Sequence, residues 1–424
     1  MAASMRGKLL NYGVQDRQLT ESERWLSLAC LFFFGFTTVY SLFKVGPVLT
    51  NIGEDLGMGL DTIGYINTTF TAAAAIFAFP GAWIMRNVGI KFSLLVTAII
   101  TFIGSALCLV TTSPSVFLFA RFLEGMGFGL IAVIGPNVML RLFPPERMGL
   151  VMGVWSNWLP VGTIIAFFST PAIFSAFGWR SLWTLSIVLE VIMAVWLIIS
   201  CKLPKIPENV LAQEQGKVPE SKPAGRKVFM GSAVLVALTF FFWNFAYGGA
   251  VNGFYPTFLQ DVKGMDVWTS SFVTVLPAII TVPMGVIFGI VSDKTQTRKW
   301  FVLVSYIVLS VMAATFMFTD TPETTGAWAF SIIMGFVAAA VPMGTRSYVP
   351  ILASDPNKAD YALAIMAFVT GLGMMGSGVI GTVVANFGYS AMSTMLIVPS
   401  CVIAIVMIAI SKSDRKAIEA NKGE

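Results

Sequence analysis

The stretch FGFTTVYSLFKVGPVL, Phe34 to Leu49, is apolar enough to lie in lipid, yet it contains Lys44. An unpaired charge inside a bilayer costs between about 2.5 and more than 10 kcal/mol, so a lysine kept there must face a partner or water. Thr37, Tyr40, Ser41 and Lys44 follow one another at helical spacing and form one polar stripe, whereas Phe32, Phe36, Val39, Leu42 and Phe43 lie largely elsewhere. The stretch therefore reads as a membrane helix with a wet face. Lys44 either looks onto an aqueous cavity, the favoured alternative, or snorkels to the outer interface.

The rest of the chain repeats this design. Of its 424 residues 56% are hydrophobic and 12% charged, with a mean hydropathy of +0.80, far from the mix of a soluble domain. Twelve apolar runs of about 20 residues, each long enough for a hydrocarbon core about 30 Å thick, are separated by polar connections. They are too long for barrel strands, so each must satisfy its backbone as a helix. The expected fold class is an all-α polytopic membrane protein of twelve spans. Its organisation is an N-terminal tail (1–24), six spans (25–201), a Pro-, Lys- and Glu-rich linker (202–227), six more spans (228–411) and a C-terminal tail (412–424).

Lys and Arg placement orients the spans, because basic residues are retained on the cytoplasmic side. With both tails and the linker inside, only Arg180 and Lys263 of the 27 Lys and Arg residues fall outside, and Lys44, Arg121 and Arg346 fall within spans. The pI of about 9.0 is thus a topology signal, and no nucleic-acid partner is expected. The first 24 residues are polar and show no signal-peptide core. Thr20 and Glu23 form a capping box ahead of the first span. The four cysteines lie in spans or at a cytoplasmic end, which argues against disulfides.

The halves match weakly at an offset of about 210 residues: FGW at Phe177 with FGY at Phe387, the turn at Pro145 with that at Pro356, and Pro47 with Pro256. A duplication accounts for this. The loop GIVSDKTQTRK, Gly289 to Lys299, resembles the signature of the major facilitator superfamily between spans 8 and 9, and ARFLEGMGFG from Ala120 resembles the family's span 4. The linker, the twelve spans and FGWRSLW after span 5 extend the resemblance over nearly the whole chain. Two departures are visible: PGAWIMRNVGIK from Pro80 has Arg86 and Asn87 where the family usually has Asp and Arg, and the second signature lacks its central glycine.

The resemblance implies two six-helix bundles of pseudo-symmetric design, a secondary transporter rather than an enzyme, and spans 1, 4, 7 and 10 lining a central cavity. It makes Asp293, with Arg298, the candidate conformational latch. Lys44 and Tyr40 of span 1, Asn244, Tyr247 and Asn252 on a stripe of span 7, and Arg346 of span 10 become candidate substrate contacts, although interhelical hydrogen bonding or a gate salt bridge would explain several of them. Arg121 and Glu124, one turn apart on span 4, can pair, and Glu124 can be shared with Lys44. In a chain without histidine, that carboxylate is the natural proton carrier, and an anion competing for its cations would favour its protonation. A permanent salt bridge is the bland alternative. Glu190 lies on span 6, which the resemblance makes peripheral, and is expected to be protonated or paired locally.

These features favour a small organic anion, with a carboxylate preferred, coupled to protons or exchanged for another anion. Efflux of hydrophobic or amphipathic compounds is the rival. The family contains anion permeases with a similar-looking span 4. No metal or cofactor is expected, the surrounding partner is membrane lipid, a monomer is the expected state, and short loops suggest a bacterial-type inner membrane.

Overall fold

The computed structural model describes residues 14–15, 17–143, 151, 154–155, 157–204, 232–295, 298–312, 315, 323–342, 345 and 368–409. Cα packing divides the chain into two units. The first holds Met1–Val45, Glu54–Gly57 and Thr69–Glu220, and the second holds Gly46–Gly53, Met58–Thr68 and Ser221–Glu424.

The helices are α1 (Glu21–Phe43), α2 (Leu49–Leu56), α3 (Leu60–Ile63), α4 (Tyr65–Val88), α5 (Ile90–Val110), α6 (Pro114–Leu142), α7 (Trp158–Phe177) and α8 (Ser181–Ser200). There follow α9 (Ser232–Asn244), α10 (Asn252–Asp261), α11 (Val267–Thr295), α12 (Arg298–Met312), α13 (Thr325–Ala338), α14 (Ser377–Phe387) and α15 (Ser390–Ala409). Among the described residues, eight helical stretches are long and apolar enough to cross a membrane. The molecule is an all-α polytopic membrane protein.

In the first unit, α1 starts at Thr20, whose side chain accepts from the Glu23 N–H while the Glu23 carboxylate accepts from the Thr20 N–H. Glu23 also pairs with Arg17 and Lys202, and a short parallel pairing of Val14–Gln15 (β1) with Leu203–Pro204 (β2) runs beside it. At the other end α1 stops at Phe43. Lys44 caps it, and Gly46–Val48 continue as a 3-10 turn through Pro47, which has no N–H to extend the α-helix. The helix read through Phe34–Leu49 is thus broken after Lys44, and the break releases the last carbonyls of α1.

Glycines let α6 approach its neighbours. A methyl on Gly125 would overlap the Phe70 carbonyl of α4, and one on Gly129 the Ala74 carbonyl. Gly104 of α5 does the same service: its missing Cβ would lie 2.8 Å from the Ala120 carbonyl oxygen and 2.9 Å from the Glu124 nitrogen. These contacts bring three helices to backbone-limited distance around Glu124.

Each unit carries the same helix ending. Gly178 caps α7 with φ 77° and ψ 171°, and Gly388 caps α14 with φ 76° and ψ 173°. Positive φ is inexpensive for glycine alone, so the two FG turns are equivalent in backbone as well as in sequence. The second unit departs from uniform α geometry in span 7, where Phe245–Val251 form a π-helical stretch between α9 and α10.

A buried charge cluster as candidate functional site

α1, α5, α6 and α8 each turn a polar stripe into the interior of the first unit. α1 ends on Lys44, α5 presents Thr97, Thr101, Ser105 and Cys108, α6 presents Arg121 and Glu124, and α8 presents Trp183, Ser186 and Glu190. Spacings of three and four residues place each set on one helical face. The remaining circumference of α8 is apolar and exposed at Val188, Val191, Ile192, Val195 and Ile199, as a lipid-facing helix requires.

Glu124 is the hub. Its Oε2 accepts from the Arg121 guanidinium one turn earlier. Its Oε1 is 2.8 Å from Ser105 Oγ, 3.1 Å from Trp183 Nε1 and 3.4 Å from Lys44 Nζ. Lys44 donates to Ser186 Oγ at 2.6 Å, and Ser186 donates onward to the Leu182 carbonyl. The ammonium also lies 4.2 Å from the Trp183 ring centroid and 5.9 Å from that of Tyr40, both short enough for cation–π attraction.

Arg121 donates to the Ser41 carbonyl at 2.7 Å and lies over the Phe70 ring. The break in α1 explains the first contact. Ser41 is among the four C-terminal residues whose carbonyls lack a partner in the helix, and the negative end of the helix dipole favours a cation there. Lys44 and Arg121 thus share both the end of α1 and the carboxylate of Glu124. The side chains of Lys44, Arg121 and Glu124 are 0% exposed.

Glu190 completes the cluster. It is 2% exposed, its Oε1 lies 2.9 Å from Ser105 Oγ, and its Oε2 has no hydrogen-bond partner among the described residues. Ser105 therefore touches both carboxyl groups.

The Lys44 side chain is fully buried and its ammonium is held by Glu124 and Ser186, so it does not reach outward to solvent as a snorkelling lysine would. Its surroundings are protein groups of α6 and α8 rather than the water-lined wall expected from its stripe. Tyr40 is buried on the same stripe. Ser105, Ser186, Trp183 and the link to Glu190 went unread in the sequence, although the Trp183, Ser186, Glu190 spacing was a usable signal. Glu190 sits on a helix that is lipid-facing over most of its surface, but its own stripe faces inward.

In the second unit, Asn244 bonds back to the Phe240 carbonyl at 2.7 Å, and Tyr247 stacks on Trp243. Asn252 is buried, and its Oδ1 accepts no hydrogen bond among the described residues. The expected stripe through these residues assumed a uniform α pitch. The intervening π turn, with its i→i+5 bonds, rotates Asn252 relative to Asn244. Arg346 lies outside the described residues, and the side chains of Asp293 and Arg298 are likewise not described. Among the described residues, no group of three or more His, Cys, Asp or Glu converges as a metal site.

The family model of the major facilitator superfamily matches residues 27–378. The chain belongs to the major facilitator superfamily. Within that superfamily it is similar to the hexuronate transporter of Bacillus subtilis (strain 168), 26% identical over 267 residues that cover 61% of this chain and 62% of the relative. It is also similar to the probable galactarate/D-glucarate transporter GudP of the same organism, 24% identical over 378 residues and 80% of each chain. Among solved structures, the D-xylose-proton symporter superposes with a TM-score of 0.72 at 16% identity, covering 92% of this chain and 99% of that one. The chain thus has the superfamily's fold and spans less than two thirds of the length of the hexuronate relative.

Proposed function

We propose that this protein is a secondary transporter that moves a small organic anion, a carboxylate, across a membrane by alternating access, with Glu124 as the proton-coupling residue. The observation that carries the reading is the sharing of Glu124 between Lys44 and Arg121 in a fully buried setting. Two cations held by one carboxylate form a site where a second carboxylate, that of the substrate, can compete. If the substrate takes Lys44 or Arg121, Glu124 loses its stabilising charge and gains a reason to bind a proton. Relatives named for hexuronate and for galactarate and glucarate support a carboxylate substrate.

Tyr40 borders Lys44 and is assigned to the same substrate contact. The buried Asn252 Oδ1 is suited to accept from a substrate hydroxyl, since an unpaired buried acceptor costs about 1–3 kcal/mol. The Lys and Arg distribution supports cytoplasmic N- and C-termini and, with the short loops, an inner-membrane location.

The test is uptake into proteoliposomes of labelled hexuronate, D-glucarate and an uncharged sugar, with a hydrophobic dye as control. Uptake of the carboxylates alone, reduced at least tenfold in Lys44→Ala, is the expected result. Dye transport that persists in Lys44→Ala, without carboxylate uptake in the wild type, would replace this reading with efflux of hydrophobic compounds.

A further inference from the structure

Ser105 Oγ lies 2.8 Å from Glu124 Oε1 and 2.9 Å from Glu190 Oε1. A hydroxyl has one hydrogen to donate and otherwise only accepts. It can donate to one carboxylate oxygen; the second contact is a hydrogen bond only if that carboxyl carries a proton and donates to Ser105. With both groups ionised, one of these close contacts would oppose two lone pairs in a dry interior.

The other neighbours decide which carboxyl holds the proton. Glu124 is met by Arg121 on Oε2 and by Lys44 and the Trp183 N–H on Oε1. These are donors, and they require acceptors. Among the described residues Glu190 has only Ser105 as a hydrogen-bond partner, and its Oε2 has none, a costly setting for a carboxylate and a milder one for the carbonyl of an acid. Among the described residues, the charged and titratable groups facing this pocket are Lys44 of α1, Cys108 of α5, and Arg121 and Glu124 of α6.

We infer that Glu190 is a proton-carrying site at neutral pH, donating from Oε1 to Ser105, which in turn donates to ionised Glu124. The bridge is also a relay. When the Ser105 hydroxyl proton moves to Glu124 Oε1, the Glu190 proton moves to Ser105 Oγ; Glu190 ends as a carboxylate, Glu124 as an acid, and Ser105 as a hydroxyl again. Neutralising Glu124 in this way releases Lys44 and Arg121 for an anionic guest. That last step rests on the transport reading, whereas the position of the proton does not.

Infrared spectroscopy of the purified full-length protein at neutral pH reads the proton directly. A carbonyl stretch of a protonated carboxyl is expected in the wild type, lost in Glu190→Gln and shifted in Ser105→Ala, where the acid loses its acceptor. A wild type without such a band, or a band unchanged in Glu190→Gln, overturns the inference. Should Glu190→Gln not fold, the Ser105→Ala spectrum decides: a shifted band supports the assignment and an unshifted one overturns it. In proteoliposomes, Glu190→Gln is expected to lose at least tenfold in uptake driven by a proton gradient while keeping substrate counterflow. Gradient-driven uptake equal to wild type would overturn the relay. A wild type that transports none of the carboxylates would instead refute the transport reading and leave the infrared result standing.

Discussion

Lys44 Nζ lies 3.4 Å from Glu124 Oε1 across 80 residues of sequence, and neither side chain has any exposed surface. Buried ion pairs gain little net stability over apolar packing, but removing one partner strands the other. Arg121 bonds to the same carboxylate, so the three residues are energetically unequal.

Glu124→Ala strands two cations and is expected to cost about 3–5 kcal/mol. Lys44→Met leaves Glu124 with Arg121, Ser105 and Trp183 and is expected to cost only about 1–2 kcal/mol. Denaturant unfolding in detergent compares them. Equal losses would mean that Glu124 is not the shared partner.

Trp183→Phe keeps the ring near Lys44 but deletes the N–H that reaches Glu124 Oε1 at 3.1 Å. Hydrogen bonds to charged groups contribute about 1.5–3 kcal/mol, so the same unfolding assay should register a loss in that range. A neutral substitution would show that the indole donor is dispensable to Glu124.

Gly104→Ala places a methyl against the Ala120 carbonyl and the Glu124 backbone. Overpacking of this kind costs about 1–3 kcal/mol, and here it also pushes Ser105 away from Glu124. The expected outcome is lower thermal stability together with the infrared shift predicted for Ser105→Ala. Normal stability would contradict the close approach of α5 and α6.

Asp266 precedes α11 and accepts from the N–H groups of Trp268 and Thr269 and from the Thr269 hydroxyl. The Thr269 hydroxyl, followed by these N–H donors, holds its carboxyl below the usual range. A depressed carboxylate contributes stability above its unfolded-state pKa and loses it as pH falls through the folded value. Asp266→Ala should cost about 0.5–2 kcal/mol at neutral pH, and Asp266→Asn less, since asparagine also caps. The gap between wild type and Asp266→Asn should close on acidification in a melting series; a gap independent of pH would exclude the ionised cap.

The membrane-spanning helical class was legible because a bilayer demands long apolar runs, and the α1 start was legible because Thr20 and Glu23 carry the capping chemistry themselves. The Arg121–Glu124 contact follows from one helical turn. The remainder of the cluster depends on how α5 and α8 rotate toward α6, which no single helix encodes. Ser105 and Ser186 are too common in membrane helices to stand out alone. The K-V-G-P run after Phe43 carried an unused signal, since Gly46 and Pro47 end the helix just past Lys44. The π turn at Phe245–Val251 had no comparable marker.

In the proposed mechanism, anion binding at Lys44 or Arg121 and proton binding at Glu124 favour each other. Labelled glucarate or hexuronate uptake into proteoliposomes, with an inward proton gradient and separately as counterflow, compares wild type with Glu124→Gln. With Glu124 as the coupling residue, its replacement by glutamine lowers gradient-driven uptake at least tenfold and leaves counterflow intact. Gradient-driven uptake undiminished in Glu124→Gln would contradict that role.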